Sequence, residues 1–201
     1  MKTKKLLLTL LLFIACLGVV NAQSRSNEIE NKWFAGVGVG TLVYVGEFDG
    51  DMSFTDRMST GMNISFGRWI SPYLAVKLEY SGIKAREYVA SNGTYIENKW
   101  NLSNYHADVM LNTMNLFGGY KSDRVYNIYP YIGVGTARNG EIKESVFAFT
   151  SGIQNSFAVS QSFDFNFDVK GTIVNQSLDG RVGGRKVEGF WVFSVGATYK
   201  F

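Results

Sequence analysis

The chain has 201 residues, 15% of them aromatic, with 22 glycines, two prolines and a formal charge of +3. That charge comes wholly from Lys2, Lys4 and Lys5; the remainder balances 17 basic against 17 acidic residues, which argues against a nucleic-acid partner. Cys16 is the only cysteine and His106 the only histidine, so a disulfide, a thiolate catalyst, a transition-metal centre and a cofactor are not expected.

The first element is an export signal. Lys2, Lys4 and Lys5 precede the apolar run Leu6 to Val20, and Val20-Asn21-Ala22 forms a small-residue cleavage site before Gln23. Residues 1–22 therefore read as a signal peptide, 23–32 as a short periplasmic segment and 33–201 as one domain. Cys16 suggests lipidation, but Phe13 suits that motif badly and the apolar run continues past the cysteine.

No later stretch is apolar and long enough for a transmembrane helix. Eight strands are expected instead, each alternating with a period of two. The first, about Trp33 to Gly46, sets Trp33, Ala35, Val37, Val39, Thr41 and Val43 against Gly36, Gly38 and Gly40. The second, about Thr60 to Trp69, sets Met62, Ile64 and Phe66 against Gly61, Asn63, Ser65 and Gly67. In the third, Tyr73 to Lys84, Leu74, Val76, Leu78 and Tyr80 oppose Lys77, Glu79 and Ser81. In the fourth, about Tyr105 to Asn115, Ala107, Val109 and Leu111 oppose His106, Asp108 and Asn112. The fifth spans about Asn127 to Arg138, with Pro130 near its start, and the sixth about Ser145 to Phe157. The seventh, about Ser162 to Asn175, alternates most cleanly: Phe163, Phe165, Phe167 and Val169 against Asp164, Asn166, Asp168 and Lys170. The last places Trp191, Phe193, Val195, Ala197, Tyr199 and Phe201 on one face and Val192, Ser194, Gly196, Thr198 and Lys200 on the other.

Short links are expected near 70–72, 121–123 and 158–160. Long polar links are expected near 47–59, 85–104 and 176–189, with a turn at Asn139-Gly140. Short turns on one side and long loops on the other are the pattern of a membrane barrel. The predicted fold is an all-β, eight-stranded antiparallel transmembrane up-and-down barrel in the outer membrane, both ends periplasmic. A soluble lipocalin shares the strand count but would turn its apolar face inward. Three features favour apolar-out. Charges of both signs lie on the polar faces, that face is rich in Gly, Ser and Thr, and Trp33, Trp69, Tyr73, Tyr80 and Tyr199 fall where an aromatic girdle sits.

Several motifs resemble a known family. His106-Ala-Asp-Val-Met-Leu-Asn112, Gly118-Gly-Tyr-Lys121, Tyr129-Pro-Tyr-Ile-Gly-Val-Gly-Thr-Ala-Arg138, Val169-Lys-Gly-Thr-Ile-Val-Asn-Gln176 and Val195-Gly-Ala-Thr-Tyr-Lys-Phe201 are similar to the N-terminal barrel of OmpA-like outer-membrane proteins of the Bacteroidetes type. The resemblance runs from about Trp33 to Phe201. It implies an eight-stranded barrel with a structural role in the envelope and no catalytic residue. Family members usually continue into a peptidoglycan-binding domain. With the chain ending at Phe201, that anchoring is not expected to carry over.

Lys77, Glu79, Asp108, Asp164, Asp168 and Lys170 are expected to pair inside a narrow lumen, with Lys77 or Lys170 against Glu79, Asp108 or Asp168. His106 and Asp108 share a face, and with nearby Ser103 they raise lipid-modifying catalysis; an interior hydrogen-bonded histidine is the better reading. Glu47, Asp51 and Asp56 lack calcium-loop spacing, and Arg181, Arg185 and Lys186 read as a solvated loop although they could touch lipopolysaccharide phosphates. Tyr199 and Phe201 resemble the terminal signal read by the outer-membrane assembly machinery. The partners expected are that machinery, outer-membrane lipid and lipopolysaccharide, and a protein bound through the external loops. A structural envelope role is the leading function, ahead of surface interaction (adhesin or accessory subunit) and of an enzyme built on His106.

Overall fold

The computed structural model describes residues 33–45, 55, 57–91, 94–175, 178 and 187–201. The signal residues 1–22, the segment 23–32, the acidic Glu47, Asp51 and Asp56, and the basic Arg181, Arg185 and Lys186 lie outside the described residues.

Eight strands close into an antiparallel barrel in chain order: β1 (Trp33–Val45), β2 (Met58–Trp69), β3 (Leu74–Ser91), β4 (Thr94–Leu111), β5 (Tyr126–Asn139), β6 (Ser145–Ala158), β7 (Phe163–Asn175) and β8 (Val187–Lys200). β1 closes on β8 from Phe34↔Lys200 to Val45↔Gly189, and Trp33 and Phe201 exchange backbone hydrogen bonds of 3.1 and 2.9 Å beyond it. Closure leaves no open edge in the wall, which a bilayer demands. Among the described residues no helix is long and apolar enough to cross a membrane; the crossing elements are strands.

One row of register partners fixes the barrel's geometry. It runs Tyr199, Ala35, Phe66, Leu78, Ala107, Val134, Phe149, Ile173 and returns to β8 at Gly189, ten residues before Tyr199. A stagger of that size over eight strands tilts them by about 40° from the axis, given roughly 3.3 Å per residue and 4.8 Å between strands.

The alternation resolves as apolar-out. Val37, Val39, Met62, Ile64, Leu78, Ile132, Phe147, Phe165, Phe167 and Val195 are exposed on the outer wall, while Lys77, Glu79, Asp108, Asp168 and Lys170 are buried inside. Aromatic rings collect on the outer wall at the end that holds Trp33 and Phe201. Trp33 stacks on Phe66 at 5.2 Å, Phe201 lies 6.3 Å from Phe66, and Tyr126 meets Phe157 at 4.8 Å.

Four expectations are corrected. The span 85–104 is not a polar loop: β3 and β4 stay paired from Lys84↔Asn101 to Ser91↔Thr94. Pairing of β3 with β2 stops at Ile83, and pairing of β4 with β5 reaches no further than Leu102, so this ribbon stands beyond the wall. The segment is rich in strand-forming types (Tyr88, Val89, Tyr95, Ile96, Trp100), and its charges hid that propensity. Second, the fourth strand ends at Leu111 rather than Asn115, and a six-residue helix, α1 (Thr113–Gly118), follows. Asn112 caps it by accepting from Asn115 N at 2.9 Å. The link before β5 is therefore longer than residues 121–123. Third, Trp69 is no girdle residue. It has the parity of Gly67, turns inward, and packs 6.3 Å from Phe34 and 5.2 Å from Tyr129. Fourth, the inner face is not polar throughout. Leu42, Tyr44, Trp100, Leu102, Phe190 and Val192 form a buried apolar cluster at the ribbon end.

Candidate functional site

The lumen is layered along its axis. A small apolar group (Phe34, Ala75, Met110, Tyr129, Tyr131) fills the end near Trp33 and Phe201, and the larger apolar cluster fills the ribbon end. Between them lies a cluster of charges. Its positions follow from strand parity: Lys77, Glu79 and Ser81 alternate inward on β3, His106 and Asp108 on β4, and Asp168 and Lys170 on β7.

Glu79 is the hub. Lys77 Nζ donates to its Oε2 at 2.7 Å, Lys170 Nζ donates to Oε1, and Ser81 Oγ and Asn63 Nδ2 donate to Oε1 at 3.3 and 3.4 Å. Lys77 also lies 3.3 Å from Asp108 Oδ2 and 4.1 Å from the centroid of Tyr131, a cation–π distance. Lys170 donates again to Ser81 Oγ at 3.0 Å. His106 Nδ1 sits 2.6 Å from Asp108 Oδ1 and its Nε2 is 3.7 Å from Glu79 Oε1. Tyr131 donates to Asp168 at 2.8 Å. β3 and β7 are four strands apart in either direction around the barrel, so the Lys170–Glu79 contact crosses the full width of the lumen. Both ammonium groups are removed from solvent, at 1% residue exposure.

Two glycines make room for this cluster. A Cβ on Gly133 would collide with the Asp108 carboxylate, and one on Gly152 would come within 2.5 Å of the Tyr131 hydroxyl. Larger residues there would push the charges out of register.

The structure brings Lys77, Glu79, Asp108 and Lys170 together. It separates Asp164, which pairs with Lys200 Nζ at 2.8 Å and accepts from Ser156 Oγ at 3.1 Å near the end that holds Trp33 and Phe201. Asp168 is held by a phenol. Lys200, Tyr131, Ser81 and Asn63 were missed as partners. Lys200 and Tyr131 shared the inward parity of charged neighbours, which was the available signal. Ser103 and His106 lie on opposite faces of β4, so the structure does not bring them together. Glu79, His106 and Asp108 offer ligand atoms within 4.8 Å of one another, a spacing that suits a metal. The two lysine ammoniums already neutralise Glu79 and Asp108 there.

No family model matches the chain. It is 28% identical over 192 residues to outer membrane protein 40 of Porphyromonas gingivalis, covering 84% of this chain and 50% of that protein. It is 24% identical over 210 residues to outer membrane protein 41 of the same organism, covering 94% and 54%. The chain thus spans about half the length of the curated relatives it matches. Among solved structures, Neisserial surface protein A superposes with a TM-score of 0.57 at 15% identity, covering 84% of this chain and 97% of that one. The chain is an outer-membrane β-barrel protein.

In that setting the outer wall faces lipid, and the terminal aromatics have a defined place. Tyr199 and Phe201 are outward and half exposed, with rings 6.0 Å apart. Phe201 meets the rest of the barrel through the rings of Tyr199 and Phe66 and through backbone hydrogen bonds with Trp33. Deleting Phe201 is therefore expected to lower the folded fraction in cells while the barrel that does form keeps a nearly unchanged unfolding midpoint in detergent. Heat-modifiable gel migration reads the first quantity and urea titration the second. An unchanged folded fraction would remove the assembly role.

Proposed function

We propose that this protein is a structural barrel of the outer membrane, supporting envelope integrity, with a lumen that does not conduct and no catalytic activity. The observation that carries this reading is the Lys170–Glu79 contact across the lumen, with apolar clusters on both sides of it. An eight-stranded barrel is just wide enough for its own side chains, and this one spends that width on ion pairs. The relatives named outer membrane protein 40 and 41 support the location.

Purified barrel in planar bilayers is expected to show no steady unitary conductance, and a strain lacking the gene is expected to become more sensitive to detergent. A large, steady current from the wild-type protein would overturn the closed-lumen reading. For catalysis, His106→Ala is expected to leave the lipid A mass spectrum unchanged.

A second reading, surface interaction, draws support from the β3–β4 ribbon, whose backbone pairing continues past both neighbouring strands. Replacing residues 86–99 with a short turn is expected to preserve the barrel. Loss of a co-purifying protein from solubilised membranes after that change would favour this reading over a purely structural one.

A further inference from the structure

Asp168 differs from the other carboxylates of the charge cluster. Glu79 receives both lysines, and Asp108 faces Lys77 and His106. Asp168 is 5% exposed and accepts only from the Tyr131 hydroxyl, at 2.8 and 3.1 Å. Among the described residues no ammonium, guanidinium or imidazole lies within ion-pair distance of it. Asp168 is thus the carboxylate of the central cluster without an ion-pair partner among the described residues, and it lies on β7. A buried charge needs a counter-charge.

A cavity of about 20 Å³ opens beside it, between β7 and the glycine-lined inner face of β1 and β8. That is room for a single water-sized occupant. Asn63, Glu79, Gln154, Asn166, Asp168 and Thr198 are among the residues that line it. Asn166 is 7% exposed and donates Nδ2 to Thr198 Oγ1 at 2.6 Å, while its Oδ1 accepts no hydrogen bond. Asn63 likewise donates to Glu79 and leaves its Oδ1 without a donor. The cavity therefore joins a carboxylate without an ion-pair partner to two buried amide oxygens that lack hydrogen-bond partners.

We propose that this cavity binds one small monovalent cation of the sodium type, held by the Asp168 carboxylate and the amide oxygens of Asn166 and Asn63. The donors are hard oxygens, which suit alkali cations and exclude a preference for soft metals. One carboxylate without an ion-pair partner calls for a single positive charge. Magnesium, which keeps several waters in an octahedral shell, does not fit a cavity of this size. The groups facing Asp168 are Tyr131 on β5, the Glu79, Lys77 and Lys170 set on β3 and β7, and the neutral amides and hydroxyls of β2, β6 and β8. The site goes beyond the structural role proposed above. Failure of that role would appear as bilayer current, whereas occupancy of this site is read by scattering.

Crystals of the full barrel grown with rubidium or thallium(I) in place of sodium are expected to show one anomalous peak between Asp168 and Asn166. In detergent at equal ionic strength, the unfolding temperature is expected to be higher in sodium chloride than in choline chloride, by about 3–6 °C at tenfold the dissociation constant. Asp168→Asn removes the charge and Asn166→Leu removes an oxygen and fills the cavity; either is expected to abolish the sodium dependence. Should one variant not fold, the other and the anomalous map still decide. No anomalous peak together with equal unfolding temperatures in the two salts would mean that the cavity holds water or that Asp168 carries a proton, and the proposal would be wrong.

Discussion

Glu79→Ala is expected to be the most damaging substitution inside the lumen. It removes at once the acceptor for Lys77 and Lys170, two ammonium groups that solvent does not reach. Lys77 keeps Asp108 at 3.3 Å and the Tyr131 ring at 4.1 Å, and Lys170 keeps the neutral Ser81 hydroxyl at 3.0 Å. Removing one partner of a buried ion pair typically costs about 3–5 kcal/mol, because the remaining charge keeps its desolvation penalty. The expected result is a large fall in the urea midpoint in detergent, with the heat-modifiable folded band lost at moderate denaturant. The companion experiment is a double-mutant cycle. Lys170→Met alone is also destabilising, since Glu79 then keeps one ammonium. The pair Glu79→Ala with Lys170→Met is expected to be more stable than the sum of the two singles. Additive losses would show that the cross-lumen contact carries no coupling.

The fold was legible because a period of two is the strongest signal a strand can carry. Phe163 to Lys170 alternates without a break, and its two faces go to lipid and lumen as the parity demands. Which charges meet was not legible. Lys77 and Glu79 are two apart on one strand, but Lys170 reaches Glu79 across the barrel. That pairing depends on the ten-residue stagger, a property of all eight registers together. Short-range features escaped for another reason. α1 is one and a half turns long, too short to show a helical period, and only the Asn112 cap marked its start. Leu42, Tyr44 and Val192 share the inward parity of the glycines, serines and charged residues. They are inward apolar residues at a depth where the lumen is packed with hydrocarbon. Alternation reports which face a residue takes and says nothing about what that face meets at each level.

The same stagger gives every outward residue a depth, and this leads to a graded expectation for arginine on the outer wall. Leu78 is 59% exposed there. It is reached from Phe163 by four steps around the barrel, through Tyr199, Ala35 and Phe66. Each step climbs about 3 Å at a 40° tilt, so Leu78 lies about 12 Å above the level of Phe163. An apolar band is roughly 25 Å tall, which puts Leu78 close to the midplane. Phe165 is also outward but stands only two residues along β7 from Phe163, about 5 Å up. Leu78→Arg is therefore expected to cost about 2–4 kcal/mol, and Phe165→Arg distinctly less, falling toward the 0–1 kcal/mol typical near the interface. An arginine at Phe165 can extend its guanidinium to the headgroups, and one at Leu78 cannot without thinning the bilayer around it. Reversible unfolding in lipid vesicles, compared for the two variants and wild type, measures the difference. Equal costs at the two positions would contradict the depth assignment. Negligible cost at both would contradict a lipid-facing outer wall.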